Sequence, residues 1–164
     1  AHWQSLNYNA LHGGIERWFK PVQEQLLQDP AWQSVLLGLA NLFSSLKPVK
    51  TWFVEAHQFR IDTTDGIGRP TPEGAHRDGV DFVAVFLLDR VSVKGGETRI
   101  FDATGSAGLR FTLTQPWSVL IMNDERMIHE STPIQPLAKY GYRDTLVLTY
   151  RSNGFQDSPN RGQQ

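Results

Sequence analysis

Between residues 49 and 151 the sequence alternates short apolar or β-branched stretches with runs of Gly, Pro, Asn and Asp, and few folds accommodate that pattern. Residues 49–61 are rich in aromatic and β-branched side chains and read as a strand. Residues 62–75 hold three glycines and two prolines and read as a loop. Residues 80–88 are almost wholly apolar, so they form either a strand buried on both faces or a short buried helix. Their length and the flanking glycines favour the strand. Gly95-Gly96 allows a tight reversal from that strand to the next, at 97–101. Further strands are expected at 109–114, 117–122, 127–131 and 145–151. Many short strands with turn signals between them indicate a sandwich or barrel.

Upstream the periodicity changes. Ile15, Trp18, Phe19, Val22 and Leu26 recur at spacings of three and four and predict an amphipathic helix over 14–28, which Pro21 starts, kinks or shortens. Asp29-Pro30 reads as an N-cap followed by proline in the first turn. A second helix is expected over 31–46, with Val35, Leu36, Leu39, Leu42 and Phe43 on its buried side and Lys47-Pro48 ending it. The 164 residues suit one domain: a helical region 1–47 packing on a sheet, a β core over 48–151, and a polar tail, 152–164, expected to be mobile. Trp52, Trp117 and the phenylalanines are expected in the core.

Bulk composition excludes several functions. Lys plus Arg is 16 and Asp plus Glu is 17, so the formal charge is −1, which offers no basic footprint for nucleic acid or an anionic membrane. The longest apolar runs are far too short to span a bilayer. The chain has no cysteine, which removes disulfides, thiolate catalysis and Cys-based metal sites. No signal peptide is visible, and a cytoplasmic location is expected.

The chemistry concentrates in His76-Arg77-Asp78 and in His129. In extended backbone, residues at i and i+2 project to one side, so His76 and Asp78 could reach one ion together. His129 would join them from another strand. Two imidazoles and a carboxylate on one face of an octahedral metal, with the opposite positions open, form the ligand set of non-haem Fe(II) oxygenases. Alone, His-x-Asp is a weak signal and reads first as a loop segment with a salt bridge. Arg143 and Thr145 share one parity on the last strand, beside Val147 and Thr149. A guanidinium facing a barrel interior needs an anion, and a carboxylate matches its fork. The alternative is an arginine paired with Asp144, Asp124 or another acid at the strand end.

Taken in order, His76-x-Asp78, the apolar strand ending Leu-Leu-Asp, Gly95-Gly96-Glu97-Thr98, His129 followed by Thr132-Pro133, and Arg143 on a final strand resemble the Fe(II)/2-oxoglutarate-dependent dioxygenases. Residues 72–82, with His57-Gln58-Phe59-Arg60-Ile61, look like the bacterial family that contains L-isoleucine dioxygenase, whose members hydroxylate free aliphatic L-amino acids. The resemblance covers roughly residues 49–151. It implies a double-stranded β-helix, a cupin-like jelly roll, mainly β with N-terminal helices. It implies Fe(II) on His76, Asp78 and His129, 2-oxoglutarate with its distal carboxylate on Arg143 assisted by Thr145, and O2 as the oxidant. Succinate, CO2 and a hydroxylated small-molecule amino acid would be the products. A prolyl-hydroxylase-like protein substrate and a non-catalytic cupin-like binding module are the alternatives. The chain looks shorter than full-length members, so part of the N-terminal region is expected to be missing.

Parity and position separate the other polar residues. Arg77 points away from the two ligands in extended backbone, as an exposed or salt-bridged arginine or as a clamp for a substrate carboxylate. Gln58 and Arg60 are candidate substrate contacts on the strand over 49–61, whereas His57, of opposite parity, is expected to be structural. Asp81 is a candidate to hydrogen-bond the metal loop or orient a ligand. Glu73 and Asp65 are expected to be solvated loop acids. His2 and His12 sit without other ligand signals and receive no role.

Overall fold

The computed structural model describes residues 19–155 and the backbone of two earlier segments, β1 (His2–Trp3) and β2 (Glu16–Arg17), which pair antiparallel. The helix expected over 14–28 shrinks to α1 (Glu24–Leu27), preceded by extended backbone at Gln23. Pro21 accounts for this: it lacks an N–H and disfavours helical geometry at Lys20. Val22 and Leu26 remain exposed, and Phe19 instead lies edge-on to the Phe59 ring, 5.5 Å away. Ile15 and Trp18 lie outside the described side chains.

α2 (Pro30–Leu46) forms where capping predicts it. Asp29 accepts the Ala31 N–H at 2.8 Å, and proline occupies the first turn. Leu39 and Phe43 centre its buried stripe, while Leu42, expected inside, is 43% exposed. Leu42 sits about 100° round the helix from Phe43 and misses the sheet beneath.

The core strands are β3 (Phe53–Asp62), β4 (Phe82–Val91), β5 (Val93–Gly95), β6 (Thr98–Asp102), β7 (Gly108–Phe111), β8 (Val119–Asn123), β9 (Met127–Ser131), β10 (Ile134–Pro136) and β11 (Tyr142–Arg151). They form a four-stranded sheet in the order β3-β11-β4-β8, a three-stranded sheet β7-β6-β9, and the pair β10-β5, with every pairing antiparallel. This is the jelly-roll arrangement expected for the core. β5 and β10 were not foreseen, because three residues are too short to show a period. Gly95-Gly96 does not close a hairpin: β4 and β6 lie in different sheets, and the glycines carry the chain across. Gly95 has φ 78°, and a Cβ there would stand 2.3 Å from the Pro133 carbonyl oxygen, so only glycine fits.

β4 is buried on both faces, which explains its unbroken apolar run. Phe82, Ala84 and Phe86 pack outward with Leu148 and Tyr150 against Leu39 and Phe43 of α2. Phe43 stacks on Phe82 with centroids 4.5 Å apart, and Trp52 joins the cluster edge-on. Tyr150 satisfies its hydroxyl by donating to the Leu36 carbonyl at 3.0 Å. On the other face Val83 packs with Ile100 of the second sheet and with Met122. Trp117, expected in the core, is 68% exposed. No helix among the described residues is long and apolar enough to cross a membrane.

Asp81 ties the helix to the sheet rather than serving the metal loop. It pairs with Lys47 just past the end of α2 and accepts the backbone N–H (2.6 Å) and hydroxyl (3.0 Å) of Ser152. Burial opposes its charge, but Lys47 and Ser152 outweigh that and hold its pKa below the ordinary 3.8. Ionised Asp81 therefore stabilises the fold above about pH 4, and that contribution is lost as pH falls through the lower folded value. Asp81→Asn is expected to cost roughly 1–2 kcal/mol at pH 7 by urea unfolding, with the difference shrinking below pH 4. A difference that stayed constant from pH 7 to 3 would contradict this role.

Candidate metal centre and cavity

The loop after β3 returns alongside β9, and one backbone pair fixes it. His76 donates its N–H to the His129 carbonyl at 3.0 Å, and His129 returns the bond at 2.9 Å. Thr71 extends the contact, its hydroxyl bonding both the N–H and the carbonyl of Ser131. Directly opposed residues of an antiparallel pair project to the same face. The two imidazoles therefore lie side by side, with centroids 4.5 Å apart.

Asp78 closes the triangle. Its Oδ1 lies 3.6 Å from His76 Nε2, and its Oδ2 lies 3.7 Å from His129 Nε2. One donor atom from each residue falls within a 4.8 Å cluster. These separations are too long for good hydrogen bonds. Donors about 2.1 Å from one shared ion lie roughly 3.0–3.5 Å apart, so small shifts would seat a divalent cation. His76 Nδ1 sits 3.0 Å from the Gly74 carbonyl, which leaves Nε2 free to face the ion. The donor set thus fits a first-row divalent metal. Burial works against a charge on His76, but Asp78 and the Gly74 carbonyl hold its pKa up at about 9. Burial pushes His129 down despite Asp78, so His129 is the neutral member.

Asp124 orients the carboxylate ligand, the task expected of Asp81. It is 1% exposed and accepts three consecutive backbone N–H groups, from Asp78 at 3.0 Å, Gly79 at 2.8 Å and Val80 at 3.1 Å. Burial and the neighbouring Asp78 push its pKa up to about 6 against those bonds. In sequence Asn123-Asp124-Glu125 reads only as a turn. Glu73 corrects a second expectation. Its side chain is only 8% exposed, with Oε1 3.6 Å from His76 Nε2, whereas Asp65 is exposed as expected.

A cavity of 140 Å³ opens from the three ligands into the space between the sheets. Arg143 and Thr145 line it, 3% and 4% exposed. Among the described residues Arg143 has no hydrogen-bond or ion-pair partner, and its Nε is buried without one. Asp144 does not neutralise it. Strand parity turns Asp144 to the outer face, where it holds Arg60 at 2.8 and 2.5 Å. Asp124 is likewise engaged elsewhere. Burial, then the nearby Arg90, lowers the Arg143 pKa to about 10, so it remains a cation at neutral pH.

Three expected substrate contacts are not on this cavity. Gln58 and Arg60 point outward; Gln58 lines a separate hollow with Trp32 and Leu146 beneath the helical segment, and Arg60 lies over the Tyr142 ring. Register explains the reversal: Arg143, Thr145 and Val147 stand opposite Ile61, Phe59 and His57. The inward residues of β3 are therefore His57, Phe59 and Ile61, and His57, expected to be structural, is on the cavity wall. Arg77 turns away and reaches the Glu125 carbonyl at 3.3 Å.

The sequence profile of the 2OG-Fe dioxygenase family matches residues 1–149. The chain belongs to that family. Its members use Fe(II), 2-oxoglutarate and O2, the group for which the His76, Asp78 and His129 cluster has the donors. A bsmA homolog from Methylobium petroleophilum is 57% identical over 96% of the chain, with a TM-score of 0.88. Two more distant structures share the fold: IDO from Bacillus thuringiensis (18% identical, 83% of the chain, TM-score 0.73) and the Fe(II)/α-ketoglutarate-dependent dioxygenase TqaL (19%, 88%, 0.69). The chain spans 64%, 63% and 61% of these three proteins, less than two thirds of each. Among curated proteins, none matches.

For this dioxygenase fold Asp124 provides a direct check. Asp124→Asn keeps the shape but replaces one acceptor oxygen with a donor that would face a backbone N–H. Iron affinity is expected to fall about 10–100-fold, read by metal titration, while the circular dichroism spectrum is kept. Unchanged affinity would mean that Asp78 is held without it.

Proposed function

We propose that the chain forms the core of an Fe(II)- and 2-oxoglutarate-dependent dioxygenase that hydroxylates a small aliphatic substrate, a free L-amino acid such as isoleucine, leucine or methionine. The observation that carries this reading is the buried, unpaired Arg143 in the same cavity as the three metal donors. A guanidinium left without an anion there is costly, and a dicarboxylate co-substrate would relieve it.

In this reading His76, Asp78 and His129 would hold iron at the wall of the cavity. Arg143 takes the distal carboxylate of 2-oxoglutarate through its fork, and the Thr145 hydroxyl on the same strand face donates to it. The pair thereby orients the 2-oxo acid end toward the metal. Iron and 2-oxoglutarate, when bound, supply the oxidation, with one oxygen of O2 passing to succinate and the other to the product. Val80, Val85, Val147 and Ile61 give the cavity apolar walls, which favour an aliphatic chain and limit water. The apolar lining supports a small substrate, and the amino-acid class rests on the likeness of residues 72–82 to amino-acid hydroxylases. Arg77 lies outside the lining of this cavity and receives no substrate role in this reading.

Two experiments test this. Arg143→Met is expected to raise the KM for 2-oxoglutarate about 10–100-fold with iron affinity retained, the loss of a charge-assisted pair. Screening 2-oxoglutarate turnover against all free L-amino acids, with mass spectrometry for a gain of one oxygen, is expected to single out an aliphatic member. Full turnover by Asp78→Ala would overturn the metal assignment. Absence of CO2 release with every amino acid would favour the binding-module alternative.

A further inference from the structure

Arg90 carries a second guanidinium close to Arg143, set behind the residues that line the cavity. Arg90 is the Cα partner of Arg143 across β4 and β11. Strand parity alone would not bring it inward. From Val83 through Val85 to Leu87, alternate residues of β4 face the interior opposite Thr149, Val147 and Thr145. That alternation would turn Asp89 inward and Arg90 outward. The register instead shifts between Asp144 and Thr145, leaving Leu88 as an extra residue on β4. Such a bulge reverses the facing of whatever follows it. Arg90 therefore joins Arg143 on the inner side, and Asp89 joins Asp144 on the outer.

The two side chains meet at Gly96. A Cβ placed there would stand 3.1 Å from Arg90 Nη1 and 3.7 Å from Arg143 Cδ. Arg90 Nη2 is anchored to the carbonyls of Gly95 at 2.7 Å and Val93 at 3.3 Å. Its Nη1 is buried without a partner, as is Arg143 Nε. Nearby acids are engaged elsewhere: Asp89 accepts from Tyr142 Oη and the Arg90 N–H, Asp144 holds Arg60, and Glu97 holds Arg99. Among the described residues no carboxylate pairs with either guanidinium, and an anion bound at Arg143 would offset the charge of both.

We propose that Arg90 is a positioning residue for the distal carboxylate of 2-oxoglutarate, acting from behind Arg143 and turned inward by the bulge at Leu88. This rests on the 2-oxoglutarate reading above. Arg90 adds positive potential at the carboxylate, its guanidinium held in place by the carbonyls of Gly95 and Val93.

The test is equilibrium binding of 2-oxoglutarate to the Mn(II)-loaded protein without oxygen, by calorimetry, beside steady-state kinetics. Arg90→Gln is expected to raise the dissociation constant and the KM for 2-oxoglutarate about tenfold. Its kcat at saturating 2-oxoglutarate should stay within about twofold and its Mn(II) affinity should not change. Arg90→Lys, keeping the charge, should recover most of the loss. Wild-type binding with an unaltered Arg90→Gln variant overturns the role of Arg90 alone. Equal loss in the Gln and Lys variants, with kcat and metal affinity falling together, makes Arg90 a structural strut and also overturns it. If the wild-type protein bound no 2-oxoglutarate, the parent reading would fall and this one with it.

Discussion

Two reciprocal hydrogen bonds between the backbones of His76 and His129 hold the site together. They join an irregular loop to β9 at one register position. Without them neither imidazole would face the other, and Asp78 would have no partner donors. Asp124 completes the arrangement by gathering the three N–H groups that follow the bridge. A glycine at 79, with φ 76°, lets the chain turn sharply enough to present all three. The metal face is thus set by main-chain geometry, and the side chains inherit it.

β11 supplies a wall of the cavity through Arg143, Thr145, Val147 and Thr149. It lies between β3 and β4 and is the most thoroughly paired strand among the described residues. A rigid central strand is a good place for a charged anchor, because its side chains cannot swing. Alternation then sorts charge by face: Arg143 and Thr145 inside, Asp144 with Arg60 outside. The bulge in β4 applies the same sorting to Asp89 and Arg90. The result places a buried cation and the metal donors on the walls of one largely apolar cavity.

The three donors of the candidate metal cluster and the buried Arg143 were legible in the sequence because each belongs to a residue type with few other reasons to occur in that order. The helix over 31–46 was legible because Asp29-Pro30 and the apolar spacing agree. The substrate-facing residues were not. Gln58 and Arg60 lie on one face of β3 and His57 on the other, and nothing in a single strand says which of its two faces is inside. That choice depends on the register against β11, a non-local pairing. Asp124 was hidden for a similar reason: an acid in a turn looks solvated until the loop it binds folds over it. Glu73 was misjudged in the same way.

By itself the sequence determined the elements with strong local signals, the capped helix and the doubly buried β4, and the identities of the ligating residues. Local chemistry suffices there, since a cap, a period or an imidazole has the same meaning in any fold. The tertiary structure alone decided which strand face lines the cavity, that Gly95-Gly96 crosses between sheets rather than closing a hairpin, and that one extra residue at Leu88 aims Arg90 inward. Those outcomes depend on hydrogen-bonded register between segments far apart in the chain, and a shift of one residue reverses every side chain beyond it.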